Sequence, residues 1–408
     1  MLAALRIRPF GRLLATYTLD EAADWLVGIA LAILVYKRTG SALGVALLLV
    51  ATRFGPSLII TPLAGRLGAL RLGRTLGVLY LLAAAGATIL AVGTAAPLAV
   101  LYALTFATAT CAATGRVLTR TAACNLLDRH GLLREGAAAI NVSYGAINVL
   151  GPAAAGAVAV LAGPQAGVLA GAAIFAGLAA SVWTVTGSAA GENADDAPAG
   201  LREGWRVLTS SPGIAAVILG AAALLVLFSM DEPVLLPYVE RSLGGDAGDY
   251  ATLLTFWGVG ILLGSACFTL LRRWSMLGVF VLAGSLLAGA YVGLGLAQTT
   301  AAAFAVAIGG GIGNGMFWGA FNVITLEAVP PAMRTRTSGV VESLALATPG
   351  IGYLLGGGLS ELLSPAQVYL IAGAAGGAVV LALGLIAWRP ARITRPAPVL
   401  VPSPSRGG

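Results

Sequence analysis

The chain has little charge: Asp, Glu, Lys and Arg together make up 10% of its 408 residues. Soluble globular domains carry about 25% charged residues, and here 58% of the residues are hydrophobic. A chain of this length and composition cannot cover a water-soluble surface. The scarcity of charge therefore predicts a protein that crosses a membrane many times.

Metal-ligating and nucleophilic residues are also scarce. There is one histidine, and the three cysteines (Cys111, Cys124 and Cys267) lack the spacing of metal ligands. The glycine-rich run 309–315 lacks the Lys-Ser/Thr that a phosphate-binding loop needs. We therefore expect no metal site, no bound cofactor and no enzymatic activity.

Basic residues are spread along the chain although the net charge is +7, so nucleic acid is not an expected partner. One set of alternate connections holds 19 Lys and Arg, the other set holds 3, and Arg53 and Arg116 lie inside apolar segments. Loops rich in Lys and Arg stay on the cytoplasmic side of a membrane. This distribution predicts a multi-pass cell-membrane protein with both termini in the cytoplasm.

Apolar segments of about 20 residues can span a bilayer, and twelve can be laid out: 13–36, 41–64, 74–94, 97–119, 136–161, 166–187, 213–240, 249–271, 276–297, 299–326, 337–361 and 366–388. The predicted fold is an all-α membrane protein with twelve transmembrane helices in two pseudo-symmetric six-helix bundles, residues 1–187 and 213–388. Residues 188–212 are expected to be a cytoplasmic linker with a short amphipathic helix, and residues 389–408 a disordered cytoplasmic tail.

Carboxylates inside these spans are functional-site candidates, because a charge in hydrocarbon is costly. They form two clusters, Asp20-Glu21-Asp24 in span 1 and Asp231-Glu232 in span 7. With a rise of about 1.5 Å per residue, Asp24 lies roughly 16 Å into span 1, at a height close to that of Arg53 in span 2. We predict an Asp24–Arg53 ion pair, either permanent or broken as a switch by protonation or substrate. Asp20 and Glu21 are expected nearer the cytoplasm, at the entrance.

Asp231 and Glu232 are followed by Pro233 and Pro237. Proline removes helix hydrogen bonds, and a broken helix at membrane depth must line protein or water. The two carboxylates are therefore expected to face an outward vestibule, where they bind a cationic substrate, receive a proton or gate the outer mouth. The alternative is that span 7 ends early and both are exposed loop residues.

Two other spans place polar or aromatic residues on one helix face: Asn141, Tyr144 and Asn148 in span 5, and Asn314, Trp318 and Asn322 in span 10. These residues either line a substrate cavity or form hydrogen bonds between helices. Arg116 is expected to snorkel from the cytoplasmic end of span 4, and Glu342 to pair with a cytoplasmic arginine.

Short motifs resemble those of one transporter superfamily: Asp24-Trp25-Leu26, Ile29-Ala30-Leu31, Thr39-Gly40-Ser41, Arg53-Phe54-Gly55-Pro56 and Pro62-Leu63-Ala64-Gly65. With twelve spans and a central cytoplasmic loop, the chain resembles the major facilitator superfamily over residues 10–390. The motifs are similar to those of its proton-coupled drug, siderophore and macrolide exporters.

The resemblance also identifies two conformational motifs. In the loop between spans 2 and 3, Gly65, Gly73 and Arg74 match the superfamily's pattern, but Ala69 stands where the family has a carboxylate. That departure puts in doubt the cytoplasmic latch between the halves. In span 5, Gly151-Pro152 partly matches the Gly-Pro motif of proton-driven exporters.

The function implied by the resemblance is secondary active transport by alternating access. The expected activity is proton-coupled efflux of a small amphipathic compound, such as a drug, an antibiotic or a siderophore-like molecule. Asp24 and Asp231 are the leading carboxylates for proton coupling. The expected partners are the substrate, protons and the lipid bilayer, and the expected state is a monomer. An uptake permease, an uncoupled facilitator and a non-transporting membrane sensor stay open as alternatives.

Overall fold

The computed structural model describes residues 2–185, 206, 212–271, 273–327 and 334–388, which form helices and the turns between them. The first half contains α1 (Leu2–Leu5), α2 (Arg8–Thr39), α3 (Ala42–Leu49), π1 (Val50–Phe54), α4 (Gly55–Gly68), α5 (Leu72–Val92), α6 (Leu98–Arg129), α7 (Leu133–Ala162) and α8 (Pro164–Val182). The second half contains α9 (Pro212–Phe228), α10 (Asp231–Pro237), π2 (Tyr238–Ser242), α11 (Ala247–Leu270), α12 (Met276–Leu296), α13 (Thr300–Glu327), α14 (Arg334–Leu359) and α15 (Pro365–Trp388).

Ten helical segments in the described part of the chain are long and apolar enough to cross a membrane. This confirms an all-helical, multi-pass membrane protein. Apart from Arg206 and Pro212, the expected linker 188–212 lies outside the described residues. The expected tail 389–408 and the side chain of Glu342 lie outside them as well.

One helix bends at a π turn that carries Arg53. Pro56 has no N–H to donate to the carbonyl of Thr52, and its ring crowds that carbonyl. The chain responds with π1, in which the N–H of Gly55 donates to the carbonyl of Val50. Single π turns of this kind are frequent at functional sites.

A second break separates α9 from α10 at Ser229 and Met230. Pro233 has no N–H to donate to the carbonyl of Ser229, four residues earlier, so it interrupts the hydrogen bonds of a continuous helix. Proline is tolerated in the first turn of a new helix. Asp231 and Glu232 therefore open α10. They are helical residues, which corrects the alternative that placed both in an exposed loop.

The two halves meet at several helix pairs. α7 packs on α11, α3 packs on α10 and α14, and π1 packs on α14. Glycines permit the approach: a Cβ on Gly258 would lie 2.6 Å from the carbonyl oxygen of Asn148, and one on Gly357 would lie 3.1 Å from the Cα of Leu43. Small residues at such crossings let membrane helices pack closely.

Consecutive membrane-crossing segments run antiparallel, with α3–π1–α4 and α9–α10–π2 each counted as one segment, so their turns gather at two ends. We call the end with the turns at Gly40, Gly163 and Gly244 the Gly40 face. The opposite end, with the turns 69–71 and 130–132, is the Arg71 face.

Candidate functional site

Three carboxylates of α2 converge on one guanidinium of α6. Arg116 Nε lies 2.6 Å from Asp20 Oδ2, while its two terminal nitrogens lie 3.3 Å from Glu21 Oε1 and 3.5 Å from Asp24 Oδ2. Asp20 and Asp24 are one helical turn apart and share a face. The planar fork of donors on arginine can therefore reach all three carboxylates at once. We call these four residues the Arg116 cluster.

The carboxylates of the cluster differ in their exposure to solvent. The side chain of Asp20 is fully buried, whereas that of Asp24 is 44% exposed. In the described part of the chain, Asp20 Oδ1 has no hydrogen-bond partner. Three carboxylates and one guanidinium leave surplus negative charge when all are ionised. A proton or a cationic group can neutralise that surplus, and Asp24 is the member that solvent reaches.

This arrangement corrects two predictions about depth. α6 continues to Arg129, ten residues beyond the predicted end of span 4 at residue 119. Arg116 is thus 13 residues, roughly 20 Å, from that end, and it pairs with α2 instead of snorkelling. Asp20 and Glu21 are buried against it, so they do not line an entrance.

Arg53 forms an ion pair across the two halves. Its Nη1 lies 3.6 Å from Glu232 Oε2, and the two side chains are 49% and 36% exposed. The guanidinium carbon of Arg53 lies 6.0 Å from the ring centroid of Trp25, within range of a cation–π contact. π1 and the first turn of α10 together position this pair.

The predicted Asp24–Arg53 ion pair is corrected by these contacts. Within the described residues, Asp24 pairs with Arg116 and Arg53 pairs with Glu232. Asp24 and Arg53 still interact electrostatically at longer range. Their closest charged partners are nevertheless different residues.

Asp231 faces different surroundings from its neighbour Glu232. It lines a small crevice with Tyr291 and Tyr369. The ring centroid of Tyr291 lies 4.8 Å from that of Phe228 and 5.6 Å from that of Tyr369. The Tyr291 hydroxyl donates to the carbonyl of Phe228, a carbonyl at the end of α9 that the helix break leaves without its usual partner.

The polar faces predicted for spans 5 and 10 lie on α7 and α13. The exposed members are Asn141, Tyr144 and Asn322, and the half-buried members are Asn148, Asn314 and Trp318. The amide of Asn148 donates to the carbonyl of Tyr144 at 2.8 Å, and that of Asn322 to the carbonyl of Trp318 at 2.9 Å. Each amide thus uses one donor on its own helix, and its oxygen can accept a hydrogen bond from a ligand or a neighbouring helix.

Gly151 in the Gly-Pro motif contacts the aromatic residue beneath Arg53. A Cβ on Gly151 would lie 2.5 Å from Trp25 Cδ1, which is too close for any side chain. Pro152 is buried beside it. Gly151 therefore lets the Trp25 ring lie against α7.

The other predicted motif shows one close approach. A Cβ on Gly73 would lie 2.4 Å from the carbonyl oxygen of Val185, so this glycine lets α5 start against the end of α8. A Cβ on Gly65 would meet no described atom within 4 Å. Arg74 is exposed on the Arg71 face.

The turn between α2 and α3 is held from the other half. Arg241 of π2 donates to the carbonyl of Gly40, which ends α2. Glu361, just after α14, accepts from Ser41 Oγ at 2.5 Å and from the N–H of Leu43 at 3.5 Å, at the start of α3. A cation at a helix C-terminus and an anion at a helix N-terminus are both favourable. We call these contacts the Gly40 clamp, and they close the Gly40 face between the halves.

Arg116, Arg241 and Glu361 are site residues that the sequence pattern did not indicate. For Arg116 the sequence did hold a signal. An arginine inside an apolar span needs a carboxylate partner, just as a carboxylate there needs a basic one. For Arg241 the signal was weaker: it is one of three basic residues in the connections that are otherwise free of them.

The profile of a protein family described as transmembrane secretion effector matches residues 1–395. Among solved structures, the nucleoside transporter NupG is 12% identical with a TM-score of 0.76, over 94% of this chain and 100% of that one. A bacterial homologue of the human lysosomal transporter Spinster, inward-facing and unoccupied, is 16% identical with a TM-score of 0.69, over 94% and 95%. A POT family transporter in complex with 5-aminolevulinic acid is 12% identical with a TM-score of 0.69, over 93% and 96%.

At identities this low, the structural similarity shows a shared fold. Among curated proteins, no sequence matches the chain.

Proposed function

Because the chain belongs to the transmembrane secretion effector family, a family of membrane transporters rather than enzymes within the major facilitator superfamily, we propose that it is a proton-coupled exporter of a small amphipathic compound. It works as a monomer in the cell membrane and needs no cofactor beyond the proton gradient. Both termini and the Arg71 face lie in the cytoplasm, as the distribution of basic residues favours.

The observation that carries the proposal is the charge imbalance of the Arg116 cluster. One guanidinium faces three carboxylates at 2.6–3.5 Å. An uncompensated charge in this setting is costly, so the cluster favours taking up a positive charge. A proton and a cationic group of a substrate are the two candidates, and competition between them couples their movements.

Asp24 is the exchange point within the cluster. Its side chain is the most exposed of the three carboxylates, and its distance to Arg116 is the longest. A proton arriving there weakens the attraction to Arg116 and leaves Asp20 as the main counter-ion. In the second half, Asp231 is the corresponding candidate, in the crevice that it lines with Tyr291.

Alternating access supplies the transport cycle. In our proposal, α2 and α14 complete a set of twelve spans, and the bundles 1–187 and 213–388 rock about a central cavity. The Gly40 clamp fastens the halves on the side we assign to the outside. In our proposal, this conformation is closed toward the outside and precedes the capture of a substrate from the cytoplasm.

The proposal is tested in cells that lack their own drug pumps. We expect expression of the chain to raise resistance to at least one amphipathic antibiotic and to lower its accumulation in the cell. An ionophore that collapses the proton gradient should abolish the difference, while depletion of ATP with the gradient maintained should not.

Two results would redirect the assignment. Increased accumulation on expression would indicate uptake. Lower accumulation that survives the ionophore would indicate an uncoupled facilitator. Arg116→Gln serves as the inactive control, with Arg120→Gln, an exposed arginine one turn further along α6, as its matched partner.

A further inference from the structure

We propose that Arg53 and Glu232 form a binding subsite for a zwitterion, with Arg53 holding a carboxylate and Glu232 an ammonium group of one substrate; this rests on the export function proposed above and names its substrate class. The pair lies on different halves of the chain, on π1 and α10. The side chains of Arg53 and Glu232 point toward each other across the contact between the halves.

The ion pair is loose enough to admit a ligand. Its N–O distance is 3.6 Å, whereas charge-assisted hydrogen bonds are about 2.7–2.9 Å. Both side chains keep substantial exposure, 49% for Arg53 and 36% for Glu232. Arginine carries five donors and a carboxylate about four acceptor positions, so each partner has hydrogen-bonding capacity to spare.

The charges around the pair select against ligands of one sign. A purely cationic ligand at Glu232 would meet the guanidinium of Arg53 a few ångströms away. A purely anionic ligand at Arg53 would meet Glu232, with Asp24 also within electrostatic range. A zwitterion whose ammonium and carboxylate groups are separated by one or two carbon atoms satisfies both partners and is repelled by neither.

Aromatic groups surround the subsite and suit an apolar body. The Trp25 ring lies against Arg53, and Tyr144 is 48% exposed on α7. Tyr353 of α14 is buried and interacts with Glu232. An amphipathic zwitterion can therefore place its charged end on the pair and its apolar end on the accessible rings of Trp25 and Tyr144.

A ligand held in this way also acts on the two halves together. The Arg53–Glu232 contact joins the first half to the second. When a zwitterion bridges the pair, it replaces one direct contact between the halves by two contacts to the substrate. A ligand in the subsite thus changes the contacts of both bundles at once.

The test compares three ligands with one skeleton, L-phenylalanine, phenethylamine and 3-phenylpropanoate, on the purified full chain in detergent. They present the zwitterion, the cation alone and the anion alone. We expect phenylalanine to bind tighter than either relative by about tenfold or more, the worth of one hydrogen bond to a charged group. Binding is measured by thermal shift, with quenching of tryptophan fluorescence as a second readout.

Variants assign each charge. Arg53→Gln should reduce phenylalanine to the affinity of phenethylamine, and Glu232→Gln should reduce it to that of 3-phenylpropanoate. Arg53→Lys keeps the charge and should retain part of the preference. Arg129→Gln, an exposed arginine at the end of α6 on the Arg71 face, should leave the ranking unchanged.

Equal or tighter binding of phenethylamine to the unmodified chain would overturn the inference. So would the absence of phenylalanine binding, or a ranking that survives both neutral variants. If a variant fails to fold, the ranking on the unmodified chain still decides. Binding in detergent needs no proton gradient, so a zwitterion that binds but is not exported would contradict the proposed function and leave the subsite standing.

Discussion

Arg116 Nε donates to Asp20 Oδ2 at 2.6 Å and thereby joins α6 to α2 at a carboxylate with no solvent exposure. The same guanidinium also reaches Glu21 and Asp24. Arg116 is thus the one positive charge that these three carboxylates share within 4 Å in the described part of the chain. Its removal would leave all three carboxylates without this positive partner.

The first prediction concerns Arg116→Gln. Removing one partner of a buried ion pair costs about 3–5 kcal/mol, and protonation of the stranded carboxylates offsets part of this. We expect a lower melting temperature of the purified protein and loss of most export. Arg120→Gln should behave like the unmodified chain. Equal melting temperatures for the two variants would show that the cluster contributes little to stability.

The second prediction separates Asp20 from Asp24. Asp20→Asn weakens a short, buried, charge-assisted hydrogen bond, worth about 1.5–3 kcal/mol. Asp24→Asn weakens a longer and partly exposed contact, worth under about 1 kcal/mol. Thermal unfolding of the two variants should therefore show the larger loss for Asp20→Asn. The reverse order would mean that Asp24 is the main counter-ion of Arg116.

The third prediction tests the contact between Gly151 and Trp25. A methyl group at Gly151 would lie 2.5 Å from the Trp25 ring, and overpacking of this kind costs about 1–3 kcal/mol. We expect Gly151→Ala to lower the melting temperature and export. Gly177→Ala, where a Cβ would meet no described atom within 4 Å, is the matched control.

A double-mutant cycle makes this prediction specific. In a Trp25→Ala background, the cost of Gly151→Ala should shrink, because the clashing ring is gone. An unchanged cost would place the effect of Gly151→Ala in the helix itself and not in its contact with Trp25.

The fold was largely predictable because long apolar segments and alternating basic loops leave few alternatives. The observed α7, α8, α12 and α15 begin and end within a few residues of the predicted spans. The helix breaks at π1 and before α10 were harder to predict from the sequence, although Pro56 causes the first and Pro233 the second. A proline signals that a helix is disturbed, but not whether the chain responds with a π turn or a new helix.

The pairing of the charged residues was not predictable for a geometric reason. Counting residues along a helix gives the height of a side chain but not the direction in which it points across the bundle. Asp24 and Arg53 were predicted to pair because of their similar height, yet each pairs with a residue of another helix. The true partner, Arg116, was misplaced because α6 extends ten residues past the apolar segment.

The fourth prediction concerns the Gly40 clamp. Arg241→Ala and Glu361→Ala should each lose about 1 kcal/mol of stabilisation and shift the halves about fivefold toward opening of the Gly40 face. In a background with Cys111, Cys124 and Cys267 changed to Ser, a cysteine at Tyr144 should then react faster with an impermeant maleimide added from the outside.

Arg38→Gln provides the control for the clamp. Arg38 lies on the same face, but its hydrogen bonds go to the carbonyls of Thr94 and Ala96 within its own half. Its loss should leave labelling unchanged. Faster labelling in all three variants would indicate general loosening of the face and not the release of a clamp between the halves.

The central claim, proton-coupled export through the carboxylates of α2 and α10, is tested most directly by flux in proteoliposomes. Vesicles containing the purified chain are given an acid lumen, and uptake of a labelled compound from the resistance screen is followed. For one proton per substrate, one pH unit should support about tenfold accumulation, and Asp24→Asn and Asp231→Asn should each reduce that dependence. If both variants transport with the pH dependence of the unmodified chain, these carboxylates are not the coupling sites and the account is contradicted.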